Sequence, residues 1–546
     1  MKKRVDHALS QLQAANEVAI RDAGPRYTPG IDPAAPNIEI GYLVDAFDAL
    51  SLVDGWRTRA QELAERISKA CEYQARLLAR IFRRRRTTPF TLIDEVRVVR
   101  DIHDPTALRR AAVRLRRNSG RVVERLQRDA DALWEQLRAL PDDEANREQR
   151  GRVQSDMRAV SDVRAAVQEL IEYLDGPSGR FLRGETCLLL LGSWGTGKTH
   201  LLCDIARQRL QARAPALLVM ASSLPTEPNL LDGIALATAL ATSGTELLNE
   251  LERLGKATNT RALLMIDAIN EGKQDAWRNQ LPRLARSVSQ RPHVGLVVSC
   301  RRPFDEAIVT EQASSRLLSL DHYGFQDQEF DAQLEYFSFY NLPAPTVPLI
   351  TPEFTRPLFL KILCEGLKDL GRRSQQRKLR EVASGQKGMT YVLEYYTKKI
   401  GREIERDLGL ASGGCWLAQK GNRADAGLAG RMAASGSDWL SKDDALLSLQ
   451  ASLSLTEQQA DEVLQRFIHD GLLAAAARRD DSTLISGVQF SYQRFGDHLI
   501  ARHLLDTHLV TDTEQRLRRC FYRNRPLGAR SRPITWCKSA SDGAGR

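Results

Sequence analysis

Apolar residues follow different patterns in different parts of the 546-residue chain. Over residues 1–175 they recur at the spacing of amphipathic helices. From 176 to 325, short runs that are apolar at every position alternate with helical patterns, and beyond 326 the helical spacing returns. The hydrophobic pattern therefore predicts an all-α region, an α/β region and a second, mainly helical region. The helices predicted in the first region cover about 1–22, 56–82, 106–139 and 151–174.

Apolar runs in the central region have the length and composition of buried strands. Continuous apolar runs separated by helices are typical of a parallel sheet that helices cover on both faces. Ligands of such sheets bind at the carboxyl ends of the strands, so the residues after each run are the candidates for chemistry. The segment Asp175–Gly179 marks a domain boundary before the first run. The runs are 187–191, 216–221, 262–266, 294–299 and 317–320.

Local signals divide the chain further. From Ser437 onward, the order of helix, helix and β-ribbon resembles a winged helix, with Ser454–Glu457 as the cap of its second helix. From Arg523 onward the chain is rich in Arg, Gly, Ser and Pro and lacks an apolar period, which predicts a disordered or truncated tail. The predicted regions are an N-terminal helical region (1–175), a core (176–325), a helical subdomain (326–410), a winged-helix subdomain (430–510) and the tail (511–546).

The chain carries a formal net charge of +10. Such an excess suits an anionic partner, but arginine spread along helices is also typical of solvated helix faces. The densest run, Arg83–Arg86, is interpreted as a solvated helix end in preference to a phosphate clamp. Contact with nucleic acid therefore stays an alternative and is not the favoured prediction.

Cysteine usage and the lengths of the apolar runs indicate the compartment. The eight cysteines include no Cys-x-x-Cys pair, which argues against a disulfide framework and a zinc site. The first residues, Met1–Asp6, lack the apolar segment of a secretion signal. No apolar run reaches about 20 residues, the length that spans a bilayer. These features predict a cytoplasmic protein without membrane contact.

The strongest motif follows the first apolar run. Residues 192–199, Gly-Ser-Trp-Gly-Thr-Gly-Lys-Thr, match G-x-x-x-x-G-K-[ST] at every fixed position. In such a P-loop, glycines let backbone N–H groups approach a phosphate, the lysine reaches the β- and γ-phosphates, and the hydroxyl holds Mg²⁺. The helix that follows adds the positive end of its dipole. The predicted nucleotide-binding residues are Gly192, Ser193, Trp194, Gly195, Thr196, Gly197, Lys198, Thr199 and His200.

Two later strands end in residues that suit the same site. Asp267 follows the run 262–266, and a carboxylate beside the P-loop strand can hold Mg²⁺ through water. Glu271 is placed to orient or deprotonate an attacking water. Arg301 suits the neutralisation of a γ-phosphate; Arg302 is the competing candidate, and an ordinary surface arginine is the alternative. The predicted catalytic residues are Glu271, Asp267 and Arg301, and the predicted metal ligands are Thr199 and Asp267.

These motifs stand in the order of a NACHT-like STAND NTPase, a family that resembles AAA+ ATPases. The resemblance covers about 180–510, and the P-loop is its most specific motif. It implies an α/β fold with a P-loop (AAA+/STAND-like) parallel-sheet ATPase core, an N-terminal all-α region, and C-terminal helical and winged-helix subdomains. It also implies ATP or ADP and Mg²⁺ as cofactors. The matching segments are the P-loop, Leu264–Glu271, Ser299–Arg301, Thr355–Leu360 and Phe490–Ala501.

The resemblance further implies a nucleotide-dependent switch that self-associates on activation. Many bacterial members of the family act in antiphage defence, so a phage or cellular protein is the implied trigger. The family pattern gives Lys198 and Thr199 the phosphate and metal roles. It gives Asp267 the Walker B role and Arg301 the sensor-1 role, and it places Pro357 beside the nucleotide.

The chain departs from the family pattern at several positions. Asn270 stands where a second acidic residue is usual, which predicts slow ATP hydrolysis. Tyr492 stands where many relatives have a histidine, and Arg356 stands where asparagine is frequent. Helical sensor repeats do not follow residue 510, so we expect the sensor to be missing, supplied by another chain or lost by truncation. The Arg26–Tyr27 pair is loosely similar to a segment that lies near the base in such proteins.

Two other interpretations stay open. The first is an AAA+-type DNA-associated helper ATPase, as in transposition or replication loading. Its support is the similarity of 195–200 to such loaders and the basic charge of the chain. A fragment that binds nucleotide and does nothing further is the third interpretation. The preference for ATP over GTP rests on the resemblance, since no N-K-x-D motif lies where a guanine-binding segment would need it.

Overall fold

The computed structural model describes most of the chain between residues 2 and 508. Its contacts group the chain into two compact units, 1–193 with 198–323, and 194–197 with 324–546. Trp194, Tyr492 and the predicted tail at 511–546 lie outside the described residues. The structure describes residues 2–23, 26–28, 41–72, 74–83, 85–193, 195–225, 229–271, 273–302, 304–344, 349, 355–368, 370–383, 395, 397, 399–404, 406, 427–469, 472–480, 483–490 and 493–508.

Helices form the first part of the first unit. They are α1 (Lys2–Ala23), α2 (Gly41–Ser51), α3 (Gly55–Glu72), α4 (Ala75–Ile81), α5 (Pro89–Asp101), α6 (Pro105–Ala139), α7 (Arg147–Asp175) and α8 (Pro177–Leu182). The start of α6 follows from its sequence, because the Asp104 carboxylate accepts a hydrogen bond from the Ala107 N–H at 2.7 Å and Pro105 needs no N–H partner there. The helix predicted at 56–82 is two helices, α3 and α4. Helix α2 was not predicted; it is a short, mostly apolar helix whose charged residues are Asp45 and Asp48.

Five strands of the first unit form one parallel sheet, which confirms the predicted α/β fold class with a P-loop core. The strands are β1 (Cys187–Gly192), β2 (Ala216–Met220), β3 (Ala262–Asp267), β4 (Val294–Arg301) and β5 (Leu318–Asp321), in the order β2-β3-β4-β1-β5. The expectation that the Asp267 strand lies beside the P-loop strand is wrong. Strand β4 pairs with both β1 and β3 and lies between them. The lengths of the apolar runs carry no information on strand order, so the sequence left this point open.

Helices also connect these strands. Helix α9 (Lys198–Gln211) follows the P-loop. Helix α11 (Gly244–Thr258) precedes β3, and helix α12 (Gln274–Ser289) precedes β4. Every residue of β1, β2, β3 and β4 is buried, as in parallel sheets that are covered on both faces. The connecting helices are α9 (Lys198–Gln211), α10 (Leu230–Thr238), α11 (Gly244–Thr258), α12 (Gln274–Ser289), α13 (Phe304–Ile308) and α14 (Glu311–Ser314).

The N-terminal helices and the sheet share one hydrophobic core. Buried side chains from α2 and α3, such as Phe47 and Trp56, belong to the same cluster as Leu188 of β1 and Leu263 of β3. This cluster includes residues on both sides of the predicted boundary near Asp175–Gly179. The predicted domain limits remain predictions.

Two polar side chains form hydrogen bonds between these helices and the region of the sheet. Asn16 of α1 donates to the Ala216 carbonyl at 3.0 Å and accepts from the Leu218 N–H at 2.8 Å, so it pairs with the edge strand β2 as a strand would. The guanidinium of Arg261 is buried and donates to the carbonyls of Leu50 at 3.0 Å and Pro292 at 2.9 Å. Burial lowers the pKa of Arg261 to about 10. These bonds satisfy backbone groups that would otherwise be buried without partners.

The second unit is mainly helical and contains a small antiparallel sheet. Its strands are β6 (Trp439–Ser441), β7 (Leu473–Asp480) and β8 (Thr483–Phe490), and they lie in the order β6-β8-β7. Strand β7 was not predicted: its sequence, Leu-Ala-Ala-Ala-Ala-Arg-Arg-Asp, favours helix by local propensity, and pairing with β8 overrides that preference. The name winged helix for this part stays a prediction. The elements are α15 (Glu329–Phe339), α16 (Pro357–Lys368), α17 (Arg372–Ala383), α18 (Leu428–Ser435), β6 (Trp439–Ser441), α19 (Lys442–Leu453), α20 (Glu457–His469), β7 (Leu473–Asp480), β8 (Thr483–Phe490) and α21 (Gln493–His508).

Candidate nucleotide-binding site

The P-loop connects β1 to α9, as its motif predicts. Gly192 is the last residue of β1, and Lys198 is the first residue of α9. Gly195 and Gly197 have φ angles of +76° and +103°, which residues with a Cβ atom rarely adopt. The local backbone conformation therefore favours glycine at positions 195 and 197.

Lys198 folds back over the start of the loop. Its Nζ donates to the carbonyl oxygens of Gly192 at 2.7 Å and Ser193 at 2.9 Å. Burial and the charge of Arg301 lower the pKa of Lys198 to about 8. An enclosed ammonium group beside another cation gains free energy from a nearby anion, so the surroundings of Lys198 favour a phosphate.

Asp267 is the last residue of β3, and its carboxylate accepts hydrogen bonds from two hydroxyl groups. Thr199 Oγ1 donates to Asp267 Oδ2 at 2.7 Å, and Ser299 Oγ donates to Oδ1 at 2.6 Å. Ser299 also accepts the Ala268 N–H at 2.8 Å. The structure thus brings the predicted metal ligands Thr199 and Asp267 together, although the P-loop strand β1 and the Asp267 strand β3 are not neighbours.

Ser299 is a residue of the site that the sequence analysis did not single out by function. It is fully buried near the end of β4, the strand between the P-loop strand β1 and the Asp267 strand β3. The only signal for it in the sequence is a hydroxyl residue near the end of an apolar run. Its two hydrogen bonds orient the Asp267 carboxylate and fix the turn that follows it.

Glu271 lies between two arginines. Its Oε2 accepts a hydrogen bond from Arg26 Nη1 at 2.8 Å, and its Oε1 lies 3.6 Å from Arg301 Nη2. Burial lowers the pKa of Arg301. Burial has the same effect on Arg26, but the charges of Glu271 and Asp267 outweigh it, so the pKa of Arg26 is raised. Arg26 is a second residue of the site that no motif indicated in this role.

The structure separates the two arginines that competed for the sensor position. Arg301 is 9% exposed and faces Glu271. Arg302 instead forms a double hydrogen bond with Asp321, at 2.8 and 3.0 Å, at the end of β5. Arg301 is therefore the arginine that belongs with Asp267 and Glu271.

Asn270 has a structural contact in this site. It is 4% exposed, and its Oδ1 accepts the backbone N–H of Arg301 at 3.0 Å. This bond ties the turn after Asp267 to the end of β4. Among the described residues, its Nδ2 is buried without a hydrogen-bond partner. An amide at this position holds Arg301 in place but adds no second carboxylate.

His200 contacts the segment 26–28, and its predicted role in cofactor binding stays a prediction. Its ring lies 5.0 Å from the ring of Tyr27, and its Nδ1 accepts the Thr28 N–H at 3.4 Å. Its Nε2 lies 3.0 Å from Asp204 Oδ2. The pair Arg26–Tyr27 thus packs on α9, with Arg26 directed to Glu271.

Pro357 is the first residue of α16. The next residue, Leu358, donates its backbone N–H to the Gly195 carbonyl at 3.4 Å, within the second unit. This contact places the start of α16 beside Gly195. A role of Pro357 beside a nucleotide remains a prediction.

Oxygen atoms of Thr199 and Asp267 form a donor set that Mg²⁺ prefers, since it takes carboxylate and hydroxyl ligands and keeps several waters. The described residues contain no group of three or more His, Cys, Asp or Glu side chains placed to hold a metal ion. In the same part of the chain, no helix is long and apolar enough to cross a membrane.

No protein-family model matches the sequence, and no curated protein matches it. Among solved structures, the chain is similar to a single-substitution variant of RuvB from Thermotoga maritima, with 17% identity over 61% of this chain and 92% of that chain, and a TM-score of 0.27. It is similar to AMPPCP-bound DnaA from Aquifex aeolicus, with 15% identity over 60% and 89%, and a TM-score of 0.25. It is also similar to Cdc6p from Pyrobaculum aerophilum, with 15% identity over 62% and 93%, and a TM-score of 0.22. Likenesses at these TM-scores assign neither a fold nor a function, and the fold class rests on the sheet and the P-loop described above.

Proposed function

We propose that this chain is an ATP-binding, NACHT-like STAND switch that self-associates on activation and hydrolyses ATP slowly. The observation that carries the proposal is the convergence of Lys198, Thr199, Asp267, Glu271 and Arg301 at the carboxyl ends of β1, β3 and β4. These are the positions that the motifs assign to phosphate binding, metal binding and water activation.

The charges of the site suit a nucleoside triphosphate. Lys198, Arg26 and Arg301 supply three formal positive charges, and Asp267 and Glu271 supply two negative ones. The remaining positive charge favours a polyanion, and Mg²⁺ held near Thr199 and Asp267 would neutralise phosphoryl oxygens. Among the described residues, the buried Nη1 of Arg301 has no hydrogen-bond partner, so it is available to an anionic oxygen.

The chemistry follows from these positions. The P-loop N–H groups and Lys198 bind the phosphates, and Arg301 neutralises charge on the γ-phosphoryl oxygens. Water attacks the γ-phosphorus, the bond from that phosphorus to the β–γ bridging oxygen breaks, and Glu271 takes the water proton, giving ADP and phosphate. Asn270 adds no second carboxylate, which supports a low rate and a switch in preference to a fast motor.

The biological setting is the further part of this proposal. We infer a role in bacterial antiphage defence in the cytoplasm, with a phage or cellular protein as the trigger. The support for this part is the family resemblance of the motifs between 180 and 510.

The test is the native mass and the bound nucleotide of the purified chain, compared between wild type, Lys198→Ala and Asp267→Ala. We expect Lys198→Ala to weaken ATP binding by about 100-fold, because a charge-assisted contact to phosphate is lost. Lys256→Ala, on an exposed position of α11, is the matched control and keeps wild-type affinity. Assembly that requires ATP and a phage or cell lysate supports the switch. A chain that binds no nucleotide, or that stays a monomer with every nucleotide and lysate, contradicts it.

A second candidate, a DNA-associated helper ATPase, is favoured by one surface feature. Arg110, Arg114, Arg117 and Arg121 are exposed at helical spacing along α6, and none of the four forms an ion pair within the part of the chain that the structure describes. Four such arginines contacting a duplex would steepen the dependence of log K on log salt by about 3.6. Exchange of all four for glutamine should remove that slope, whereas exchange of exposed arginines on α12 should not. Assembly that needs DNA would favour this candidate over the switch.

A further inference from the structure

Arg26 joins two parts of the chain that are 245 residues apart. Its Nη1 donates to Glu271 Oε2 at 2.8 Å, and both side chains are largely enclosed, with 19% and 18% of their surfaces exposed. Its Nε donates to the Ala23 carbonyl in the last turn of α1 at 3.3 Å. The N-terminal helical region therefore contributes a charged group to the proposed hydrolytic centre.

The residue next to Arg26 is anchored on the P-loop helix. Tyr27 is 7% exposed, its hydroxyl donates to Asp204 Oδ1 at 2.7 Å, and that hydroxyl accepts from Arg207 Nη1 at 2.9 Å. The Tyr27 ring also packs on His200. Since His200, Asp204 and Arg207 all lie on α9, the guanidinium of Arg26 is held at a fixed position relative to the helix that begins with Lys198.

Two arginines share Glu271 unequally. Arg26 is at hydrogen-bond distance from one carboxylate oxygen, whereas Arg301 lies 3.6 Å from the other. The closer contact is the stronger one, so Arg26 determines the direction of the carboxylate. While Arg26 occupies Oε2, the buried Nη1 of Arg301 stays without a hydrogen-bond partner among the described residues.

Loss of Arg26 has a definite consequence for this arrangement. A buried carboxylate that loses one cation turns towards the remaining one, because an unpaired buried charge is costly. Glu271 would then take both guanidinium edges of Arg301. The carboxylate would leave the position from which it accepts a water proton, and Arg301 would leave the phosphoryl oxygen.

We propose that Arg26 is a positioning residue for ATP hydrolysis: it holds the Glu271 carboxylate in its proton-accepting orientation and keeps Nη1 of Arg301 available for the γ-phosphate. This inference rests on the proposed function and extends it to the N-terminal region. It predicts that hydrolysis, unlike ADP binding, depends on the segment 26–28.

The test compares steady-state ATP hydrolysis and the separate affinities for ATP and ADP in Arg26→Ala, Arg26→Lys, Glu271→Gln and the double variant Arg26→Ala/Glu271→Gln. We expect Arg26→Ala to lower kcat about 10- to 100-fold, because the reacting groups are displaced. ADP affinity should stay at the wild-type value, and ATP affinity should fall by no more than about threefold. Arg26→Lys should restore part of kcat, and the double variant should be no slower than Glu271→Gln alone.

Arg116→Ala is the matched control, since Arg116 forms a double hydrogen bond with Asp175, at 2.7 and 2.6 Å, between α6 and α7. It should leave kcat unchanged. Equal losses of kcat in the Arg26 and Arg116 variants, parallel losses of ATP and ADP affinity, or a further loss in the double variant would each overturn the inference. Thermal unfolding and Arg26→Lys separate these results from misfolding. If wild type and Lys198→Ala both fail to bind ATP, the proposed function fails, and Arg26 as a positioning residue fails with it.

Discussion

Replacement of Ser299 by alanine tests the description of the Asp267 site without any assumption about function. The Ser299 hydroxyl donates to Asp267 Oδ1 at 2.6 Å and accepts the Ala268 N–H at 2.8 Å, and the side chain is fully buried. A hydrogen bond to a charged group contributes about 1.5–3 kcal/mol to stability, and a neutral one contributes about 0.5–1.5 kcal/mol. We therefore expect Ser299→Ala to lower the free energy of unfolding by about 2–4 kcal/mol.

The assay is urea unfolding followed by circular dichroism, with hydrogen exchange of the peptide that carries the Ala268 amide. That amide should exchange faster in Ser299→Ala, because its acceptor is gone. Ser223→Ala is the control, since the Ser223 hydroxyl makes one bond, to the Met220 carbonyl at 3.1 Å, and the residue is exposed. If the two variants differ by less than about 0.5 kcal/mol, the hydroxyl does not support Asp267 as described.

Three further predictions concern stability. Burial lowers the pKa of His322 to about 3, well below the value near 6.5 of an unfolded chain. Between pH 6.5 and 3 the unfolded state therefore binds a proton that the folded state does not. As the pH is lowered through this range, the free energy of unfolding should decrease by up to about 1.4 kcal/mol per pH unit. Urea unfolding of His322→Gln should show a smaller decrease over the same range. Asn16→Ala should cost about 2 kcal/mol and speed exchange of the Leu218 amide, because the edge of β2 loses both side-chain bonds. Arg261→Met should lower the free energy of unfolding by about 2–4 kcal/mol, because it leaves buried carbonyl groups without hydrogen bonds. Arg278→Met, at an exposed position, is the control and should stay within about 0.5 kcal/mol of wild type.

The parts of the structure that depend on local signals could be predicted. The apolar runs predict the five parallel strands, because a strand buried on both faces needs no polar positions. The P-loop motif predicts the turn at Gly195 and Gly197, because only glycine readily takes positive φ there. Pro105 predicts the start of α6 for an equally local reason, whereas Asp101, Asp104 and Thr106 are all candidate caps in the sequence and the structure uses Asp104.

The parts that depend on contacts between distant residues could not be predicted. Arg26 and Glu271 meet only after the N-terminal helices pack on the sheet, and no spacing in the sequence connects them. The strand order, which places β4 with Ser299 between β1 and β3, is likewise a result of the whole fold. Strand β7 was missed because pairing with β8 outweighs the helix propensity of its alanines.

The two hydrogen bonds between Asn16 and β2 have a consequence for folding during synthesis. Domains generally fold as units, N-terminal part first, during synthesis, and Asn16 leaves the ribosome 200 residues before Ala216. The apolar faces of the N-terminal helices must therefore remain without their partner until the sheet strands have emerged. A fragment that begins at residue 176 meets the opposite problem, because the edge of β2 and the buried faces of the sheet lose their cover. We expect such a fragment to aggregate on expression, so the N-terminal helices and the sheet should be kept together in any expressed piece of the chain.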